Sequence, residues 1–329
     1  MFISLGMTSL LQVCRALSDP TRLRIVLLAR RIELAVGELA AVLGQSQPRV
    51  SRHLKILVDA GLLDRAKEGA WVFVRLSHSA RLAPVLALLD AWGDSGDADA
   101  ARLADVRAER ATAAAAYFAA HADDWDGIRS LHIAEIEVEA AIVALLGDRA
   151  VGRLLDIGTG TGRMVELLGP RAASAIGVDR SPEMLRLARG KIEAAGLAHA
   201  EVRHADMYAL PRADGSADTV VLHQVLHFAD APGTVIAEGA RVVAPGGRLL
   251  VVDFAPHDRE ELRARHAHAR LGFDDAQVGG WMRAAGLDVT ATRQLGPSAA
   301  HPLTVSLWLG ERTALGMAPR VLAGERRAA

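Results

Sequence analysis

Hydrophobic residues in the N-terminal part of the chain recur at helical spacing in three runs. Residues 18–21 supply a capping group and an early proline before the apolar run 23–28. A second run, residues 36–43, stops at a glycine. A third extends from residue 47 to about residue 60 and follows Ser46, a residue type that caps helices. The pattern predicts three short helices.

Alternating hydrophobic and polar residues follow the third run. Residues 62–65 and 71–76 alternate on either side of a polar turn at residues 67–69, which is typical of a β-hairpin. Helix, short turn, helix and then hairpin is the order of a winged helix-turn-helix. We therefore predict this α+β fold for the N-terminal domain.

The polar side of the third predicted helix is basic. Arg49, Arg52 and Lys55 precede any acidic residue of that helix, and Ser51 and His53 lie between them. Basic side chains neutralise phosphates, and polar ones contact base edges. The pattern predicts that this helix binds duplex DNA. The alternative is that the winged helix contacts another protein and its basic face is only solvated.

A different pattern governs the chain beyond residue 150. The short apolar runs 154–157, 175–178 and 219–222 are typical of strands buried on both faces of a parallel sheet. The glycine-rich residues 158–162 lead from the first run into a predicted helix. The alternation predicts a doubly wound α/β domain with a ligand site at the carboxyl ends of its strands.

The glycine-rich loop favours one class of nucleotide-like ligand over another. Gly158, Gly160 and Gly162 allow the backbone to approach a ligand closely, and Asp179 follows about 20 residues later, where ribose hydroxyls are held. A dinucleotide fingerprint requires a small residue three positions after the second glycine, but Arg163 stands there. The loop therefore disfavours NAD.

Charge is distributed unevenly, although the net charge of the chain is −1. Residues 1–95 carry 12 basic and 8 acidic residues, whereas the remainder carries 26 and 31. A polar break at residues 93–97 separates the two parts. We predict a two-domain α/β chain with a DNA-binding domain over 1–95, a helical linker or lid over 96–130, an α/β domain over 131–312 and a flexible tail over 313–329.

Composition restricts the remaining options. Cys14 is the only cysteine, so we expect neither a disulfide framework nor a thiolate metal site within one chain. No apolar stretch reaches about 18 residues without a charge, and the N-terminus lacks a secretory pattern. We expect no membrane span, no bound metal and a cytoplasmic location.

Residues 17–28, 46–65 and 68–76 resemble the ArsR/SmtB family of winged-helix repressors, and the resemblance covers about residues 8–95. It implies a homodimer that binds double-stranded operator DNA. Residues 33–39 lack the closely spaced cysteines of the metal-sensing members, which argues against metal sensing. The predicted DNA-binding residues are Gln47, Arg49, Ser51, Arg52, His53 and Lys55 on the helix, with Arg65, Lys67 and Arg75 of the wing on phosphates.

The Asp-x-Gly-x-Gly-x-Gly pattern of residues 156–162 resembles motif I of the class I S-adenosylmethionine-dependent methyltransferases. Segments 202–207, 217–228 and 242–253 follow in that family's order, and the resemblance covers roughly residues 130–312. It implies a seven-stranded Rossmann-like sheet, S-adenosyl-L-methionine (SAM) as cofactor and S-adenosyl-L-homocysteine (SAH) as product. The residues that it assigns to the cofactor are Asp156, Gly158, Thr159, Gly160, Gly162, Asp179, Arg180, Asp206, Met207 and His223.

The family also implies a role for individual residues. The methionine end of the cofactor lies near Asp156, Gly158 and Gly160, and Asp179 accepts hydrogen bonds from the ribose. Asp206 accepts one from the adenine amino group, although turn formation alone would also explain an aspartate there. Arg180 and Met207 flank the adenine, and Gly162 lets a helix pack closely on a strand.

Methyl transfer requires an aligned acceptor and, for oxygen or nitrogen acceptors, a base. His223 and His227, at the end of the predicted fourth strand, are candidate bases, with packing as the alternative. His257, His266 and His268 form a second polar group, but their spacing is not that of a zinc site. The aromatic residues of segment 117–125 are predicted to pack in the core or in a lid.

Two functions remain open at this stage. The chain could be a transcriptional regulator whose methyltransferase domain binds SAM and transfers a methyl group to a small molecule, senses SAM or SAH, or does both. Alternatively, it is primarily a small-molecule methyltransferase that uses the winged helix for dimerisation or autoregulation. Residues 223–226 lack the Asn/Asp-Pro-Pro-Tyr/Phe tetrapeptide of amino-methylating DNA enzymes, and the cysteines required for arsenite methylation are missing.

Overall fold

A computed structural model describes residues 2–68, 70–77, 82–92, 97–125, 127, 135–297 and 302–314. The predicted polar break at 93–97 and the predicted tail at 313–329 lie largely outside these ranges. Backbone contacts divide the chain into two compact units. The first unit consists of Met1–Tyr117, His227–Pro232 and Pro256–Leu271, and the second of Phe118–Leu226, Gly233–Ala255 and Gly272–Ala329.

The first unit is built mainly from helices. Its N-terminal elements are α1 (Phe2–Leu17), α2 (Pro20–Arg31), β1 (Leu34–Ala35), α3 (Val36–Leu43), α4 (Gln47–Asp59), β2 (Leu63–Glu68), β3 (Trp71–Leu76), α5 (Leu82–Trp92) and most of α6 (Asp97–His121). The strands pair antiparallel in the order β1-β3-β2. The predicted winged helix-turn-helix is confirmed, and the two-residue strand β1 is an addition that the sequence pattern does not predict.

Capping residues fix the ends of the helices in this unit. The Asp19 carboxylate accepts a hydrogen bond from the Arg22 backbone N–H at 3.1 Å, and Gly44 ends α3 with φ of +65°. Ser46 occupies the N-cap position of α4, but its side chain accepts no capping hydrogen bond. Its backbone carbonyl accepts from the N–H groups of Arg49 and Val50 instead, which corrects the expectation of a side-chain cap.

An ionic contact joins α6 to the helices of the winged fold. The Asp99 carboxylate is buried and accepts a hydrogen bond from Arg24 Nε at 2.6 Å and another from Arg102 Nη2 at 3.1 Å. One turn later, Leu103 packs into the hydrophobic core of the same unit. The first half of the predicted linker is therefore part of this core, and the units divide at residues 117 and 118 rather than at the predicted limit of 95.

The remaining elements begin at residue 135. They are α7 (Glu135–Leu146), β4 (Gly152–Ile157), α8 (Arg163–Leu168), β5 (Ala172–Asp179), α9 (Pro182–Ala194), β6 (Ala200–His204), β7 (Ala217–His223), α10 (Pro232–Val242), β8 (Val243–Phe254), α11 (Glu260–His266), α12 (Asp275–Ala284), β9 (Asp288–Leu295) and β10 (Val305–Glu311). Within the described ranges, every helix is too short or too polar to cross a membrane.

Seven strands of the second unit form one sheet in the order β6-β5-β4-β7-β8-β10-β9. Strands β4 to β8 pair in parallel, and β10 runs antiparallel to β8 and β9. This confirms the predicted doubly wound, seven-stranded sheet. Ile157, at the end of β4, pairs with Val178 on one side and Leu222 on the other, so the carboxyl ends of β5, β4 and β7 meet at one edge. The glycine-rich loop begins at this edge.

Two segments from the later part of the chain complete the first unit. Residues 227–232 follow β7, and residues 256–271, which include α11, follow β8. They are bonded to each other, because the His227 carbonyl accepts from the N–H groups of Ala269 and Arg270 at 2.8 and 3.0 Å. The predicted domain 131–312 is therefore interrupted twice by chain that packs in the first unit.

We expect Asp99→Ala to lower the free energy of unfolding by about 2–3 kcal/mol, because it removes a buried carboxylate that two arginines share. Hydrogen bonding from Arg24 is the main cause that holds the pKa of Asp99 below its ordinary value. A lowered folded-state pKa stabilises the protein above the unfolded pKa, and this contribution is lost as the pH falls through the folded value. Urea unfolding followed by circular dichroism should show a smaller difference from the parent chain in acid than at neutral pH.

Asp105→Ala on the exposed side of the same helix is the control and should cost no more than about 0.5 kcal/mol. Equal losses from the two substitutions would contradict a structural role for the Asp99 ion pair.

Candidate functional site

The glycine-rich loop between β4 and α8 has a backbone that few other residues adopt. Gly158, Gly160 and Gly162 have φ values of +71°, +51° and +85°, in the left-handed region. The N–H groups of Gly158 and Thr159 both donate to the Val178 carbonyl at 2.8 and 2.9 Å. These bonds hold the loop beside the end of β5, where the sequence predicts a ligand.

Close packing explains why two of these positions lack a side chain. A Cβ atom on Gly158 would lie 2.3 Å from Val225 Cγ2 in the turn after β7. A Cβ atom on Gly162 would lie 3.0 Å from the Ala188 Cβ of α9. The close neighbour of Gly162 is therefore the helix α9, and the close approach of a helix to a strand at this glycine stays a prediction.

Asp179 links the end of β5 to the glycine-rich loop. Its carboxylate accepts a hydrogen bond from the Gly160 N–H at 2.9 Å and another from the Ser181 N–H at 2.8 Å. Burial raises the pKa of Asp179 above its ordinary value, and the backbone donors partly oppose that rise. Each carboxylate oxygen has two lone pairs, so the ionised group retains capacity for further donors such as ribose hydroxyls.

Asp156 is enclosed by the loop that it precedes. Its side chain is 1% exposed, and its Oδ2 atom accepts a hydrogen bond from the Thr159 hydroxyl at 2.6 Å. The Thr159 side chain also occupies the space beside Gly177, where a Cβ atom would lie 2.6 Å from the hydroxyl oxygen. Both side chains therefore shape the loop from beneath, and their predicted contact with a cofactor stays a prediction.

The residues predicted to surround an adenine lie after β5 and β6. Asp206 forms a turn, because its Oδ1 atom accepts from the Tyr208 N–H at 3.0 Å. Asp206 and Met207 are half-buried, whereas Arg180 is exposed. The turn-forming role of Asp206 is thus present, and a contact with adenine remains a prediction.

The two candidate bases fall in different units. His223 is half-buried at the end of β7 in the second unit. His227 belongs to the first unit and is 3% exposed, with its ring stacked on that of His268 at a centroid distance of 4.2 Å. Stacking and burial favour a packing role for His227, and a catalytic role for either residue stays a prediction.

Two contacts at the strand ends are not predicted from the sequence. Asp253 is fully buried at the end of β8 and accepts a hydrogen bond from the Leu226 N–H at 3.0 Å, which fixes the turn that carries Val225. Trp125 is half-buried, and its indole lies beside Gly160 of the loop. The position of Asp253 at the end of an apolar run was the available signal for its contact with Leu226. The contact of Trp125 with Gly160 follows only from the tertiary structure.

The outer face of α4 carries the basic residues that the sequence assigns to DNA. Gln47, Arg49, Arg52 and Lys55 are exposed, and Ser51 is half-buried. These side chains are therefore accessible, and their contact with DNA stays a prediction.

His53 differs from its neighbours on α4. Its side chain is 14% exposed, and its Nδ1 atom lies 3.8 Å from the Asp19 carboxylate. It therefore packs against the start of α2, a position less suited to contact with bases than the expectation implied. Its predicted role on DNA remains untested.

The wing is formed by β2 and β3. Arg65 and Lys67 on β2 are exposed, and Arg65 Nη2 donates to the Ser51 carbonyl at 3.1 Å. Arg75 on β3 is half-buried. The hydrogen bond between Arg65 and Ser51 connects the wing to the helix that carries the other predicted DNA-binding residues.

Residues 256–271 pack on the wing within the first unit. The Arg263 guanidinium lies 5.1 Å from the Trp71 ring centroid, and that of Arg270 lies 4.5 Å from Phe73. Arg270 is 1% exposed and pairs with Glu33 at 2.6 Å. These contacts attach the segment to both β3 and the residues that precede α3.

Residues 227–232 are attached to the helix-turn-helix through α6. Arg110 on α6 donates to Glu38 of α3 at 2.8 Å and to Asp230 at 2.7 Å. Burial alone would lower the pKa of Arg110, but its pairing with Glu38 and Asp230 outweighs burial and raises the pKa. Arg110 therefore stays charged. One guanidinium thus joins three segments of the first unit.

The described residues contain no group of three or more His, Cys, Asp or Glu side chains arranged to hold a metal ion. His266 Nδ1 instead lies 2.8 Å from the Tyr117 hydroxyl, and His268 packs on His227 and Phe228. The second histidine group therefore takes part in local packing in the first unit.

Comparison with protein families identifies both parts of the chain. Residues 19–65 match the model described as bacterial regulatory protein, arsR family, and residues 155–251 match a methyltransferase domain. The two resemblances seen in the sequence are confirmed: the first unit carries an ArsR-type DNA-binding domain, and the second carries a methyltransferase domain.

Individual relatives match one part of the chain each. A demethylmenaquinone methyltransferase of Thermus thermophilus is 42% identical over 128 residues, which are 37% of this chain and 56% of that protein. The arsenical resistance operon repressor of Escherichia coli is 50% identical over 68 residues, which are 20% of this chain and 58% of the repressor. The chain thus spans little more than half the length of these curated relatives.

Among solved structures, a chain in the complex of a Haloferax volcanii methyltransferase activator with a methyltransferase aligns with a TM-score of 0.52. The two chains are 20% identical, and the alignment covers 62% of this chain and all of the other. At this identity the likeness shows the fold alone.

We expect Gly158→Ala to lower the free energy of unfolding more than Gly196→Ala does. Both glycines are left-handed, so each substitution costs about 1–2 kcal/mol of backbone strain. A Cβ atom at residue 196 meets nothing within 4 Å, whereas one at residue 158 would overlap Val225 and add about 1–3 kcal/mol. Chemical denaturation of both variants checks the difference, and equal losses would show that the loop is not tightly packed against the turn after β7.

Proposed function

We propose that this chain is a DNA-binding transcriptional regulator whose methyltransferase domain binds SAM, transfers its methyl group to a small molecule, and adjusts DNA binding according to whether SAM or SAH is bound. The observation that carries the proposal is the makeup of the first unit. It contains the ArsR-type domain together with two segments that follow strands β7 and β8 of the methyltransferase sheet in the chain.

Binding of SAM is supported by the donor and acceptor groups around the loop. The cofactor has no phosphate, and the loop offers backbone groups and carboxylates but no lysine. Asp179 would accept hydrogen bonds from the ribose hydroxyls, and the carboxylates of Asp156 and Asp179 would favour a positively charged sulfonium nearby. When bound, SAM supplies an activated methyl group. The protein's own part is to align the acceptor with that group and to exclude water.

Operator binding is supported by the exposed basic face of α4 and by the wing. In the helix-turn-helix mode, α4 would enter the major groove while Arg65 and Lys67 contact phosphates.

We also propose a homodimer, because Leu10 and Leu11 on α1 and Leu88 on α5 are 61%, 50% and 48% exposed. A dimer would cover them and place two copies of α4 on a palindromic site, and sedimentation of Leu88→Glu against the parent chain tests this.

Coupling between cofactor and DNA is supported by Arg110 and Arg270. Each joins a segment that leaves the methyltransferase sheet to the helix-turn-helix or to the wing. A ligand shifts a conformational equilibrium only through different affinity for its two states. We infer that SAM and SAH favour different arrangements of residues 227–232 or 256–271, and that these arrangements alter the position of α3 and β3.

The acceptor we propose is a small molecule, which follows the demethylmenaquinone methyltransferase relative by analogy. A cytoplasmic location is part of the same proposal, since a bacterial regulator binds the genome there.

The second candidate function, an enzyme that uses the winged helix only for dimerisation or autoregulation, is favoured by the intact glycine-rich loop. Methyl turnover with DNA binding that ignores the cofactor would support it.

We expect Asp179→Asn to weaken SAM binding by about 10- to 100-fold, because charge-assisted hydrogen bonds are lost and the new amide N–H₂ faces a backbone donor. In the parent chain, the raised pKa of Asp179 means that lowering the pH protonates the carboxyl and weakens binding. The variant should lack this decline. Isothermal titration calorimetry across the pH range measures both effects.

Asp214→Asn, an exposed substitution in the same unit, is the control and should retain the affinity of the parent chain and its pH dependence. Parent-like SAM binding by Asp179→Asn would contradict the proposed ribose contact.

We expect SAM and SAH to change the affinity of the full-length chain for duplex DNA by different factors, with at least about a fivefold difference between them. A duplex selected by the protein from a random library serves as the probe in fluorescence anisotropy. Arg110→Gln should reduce the difference because it disconnects Asp230 from Glu38, while calorimetry still detects cofactor binding. Glu109→Gln, an exposed substitution on the same helix, should leave it unchanged.

Identical binding curves with SAM, SAH and no cofactor would contradict the sensing proposal. They would leave the second candidate function in place.

A further inference from the structure

The indole of Trp125 lies beside Gly160, the middle glycine of the glycine-rich loop. A Cβ atom built on Gly160 would lie 3.5 Å from the indole Nε1 and 3.9 Å from Cδ1. Trp125 is half-buried, and Phe118 packs edge-on against it at a centroid distance of 5.3 Å. The indole is therefore held against the loop from the N-terminal side of the second unit.

The segment that carries Trp125 is acidic and ion-paired at the surface. Asp123 pairs with Arg186 of α9 at 3.0 Å, and Asp124 is exposed beside the tryptophan. The carboxylates of Asp156 and Asp179 lie on the strands that meet at the same loop. Trp125 thus brings an indole ring beside a loop whose flanking strands carry the carboxylates of Asp156 and Asp179.

We propose that Trp125 determines the selectivity of the site for the charged donor SAM over its neutral product SAH. The inference rests on the proposed binding of SAM, whose methionine end belongs near Gly160. SAM carries a positive sulfonium, whereas the sulfur of SAH is a neutral thioether. Aromatic faces attract cations, tryptophan most strongly, and this attraction favours only the charged form.

Such selectivity matters for both parts of the proposed function. An enzyme that favours its charged donor releases the spent cofactor readily, and a sensor that compares the two forms requires unequal affinities. Carboxylates near the loop also favour the cation, so removal of the indole should decrease the preference for SAM without abolishing it.

Calorimetry with three ligands tests the assignment. The probes are SAM, SAH and sinefungin, which carries a charged ammonium group in place of the methylsulfonium. We expect Trp125→Leu to weaken SAM and sinefungin by about fivefold relative to SAH, because leucine retains apolar bulk but has no π-system. Trp125→Phe should show an intermediate ratio, since phenylalanine is a weaker cation acceptor.

Trp281→Leu is the matched control, because Trp281 is also a half-buried tryptophan of the second unit but contacts Gly233 and Phe273. It should leave all three ligand ratios unchanged. If Trp125→Leu retains native circular dichroism but weakens binding of all three ligands equally, Trp125 has a packing role. That result would overturn the selectivity inference and leave the proposed cofactor site in place. Failure of the parent chain to bind any of the three would overturn the proposed cofactor site as well.

Discussion

A buried arginine imposes the strongest constraint on how the parts of this chain are connected. Arg270 is 1% exposed, pairs with Glu33 at 2.6 Å and lies over the ring of Phe73 at 4.5 Å. A buried charge is tolerated only with its partners in place, so segment 256–271 cannot separate from the wing without a large cost. The same segment follows β8 in the chain. The regulatory proposal depends on this connection.

The proposed cofactor site shows how one group can serve both structure and binding. The Asp179 carboxylate accepts two backbone N–H groups and in doing so sets the shape of the loop, while its remaining lone pairs stay suited to hydroxyl donors. Val225 and Ala188 occupy the space beside Gly158 and Gly162, so the backbone is enclosed on two sides before any ligand binds. The site is therefore largely preorganised by packing and by backbone hydrogen bonds.

Local patterns in the sequence were sufficient for most of the architecture. The helices at residues 36–43 and 47–59, the wing hairpin and the buried parallel strands all follow from hydrophobic periodicity and glycine stops. The loop at residues 158–162 was predictable because its glycines must adopt left-handed backbone angles. These features depend on residues that are near one another in the chain.

The features that the sequence did not reveal depend on contacts across long separations. The Arg24 and Asp99 pair spans 75 residues, and that of Glu33 and Arg270 spans 237, so no local pattern indicates that α6 or segment 256–271 packs in the first unit. The orientation of His53 towards Asp19 and the position of Trp125 beside Gly160 likewise follow from tertiary packing.

Thermodynamic linkage provides the most direct measurement of the central claim. If the state of the cofactor site alters the DNA-binding unit, then bound DNA must alter cofactor affinity by the same factor. Calorimetric titration of the full chain with SAM and with SAH, each with and without a saturating duplex, measures that factor. We predict that DNA changes the two dissociation constants unequally. Constants that DNA leaves unchanged would show that the two functions are independent despite sharing one chain.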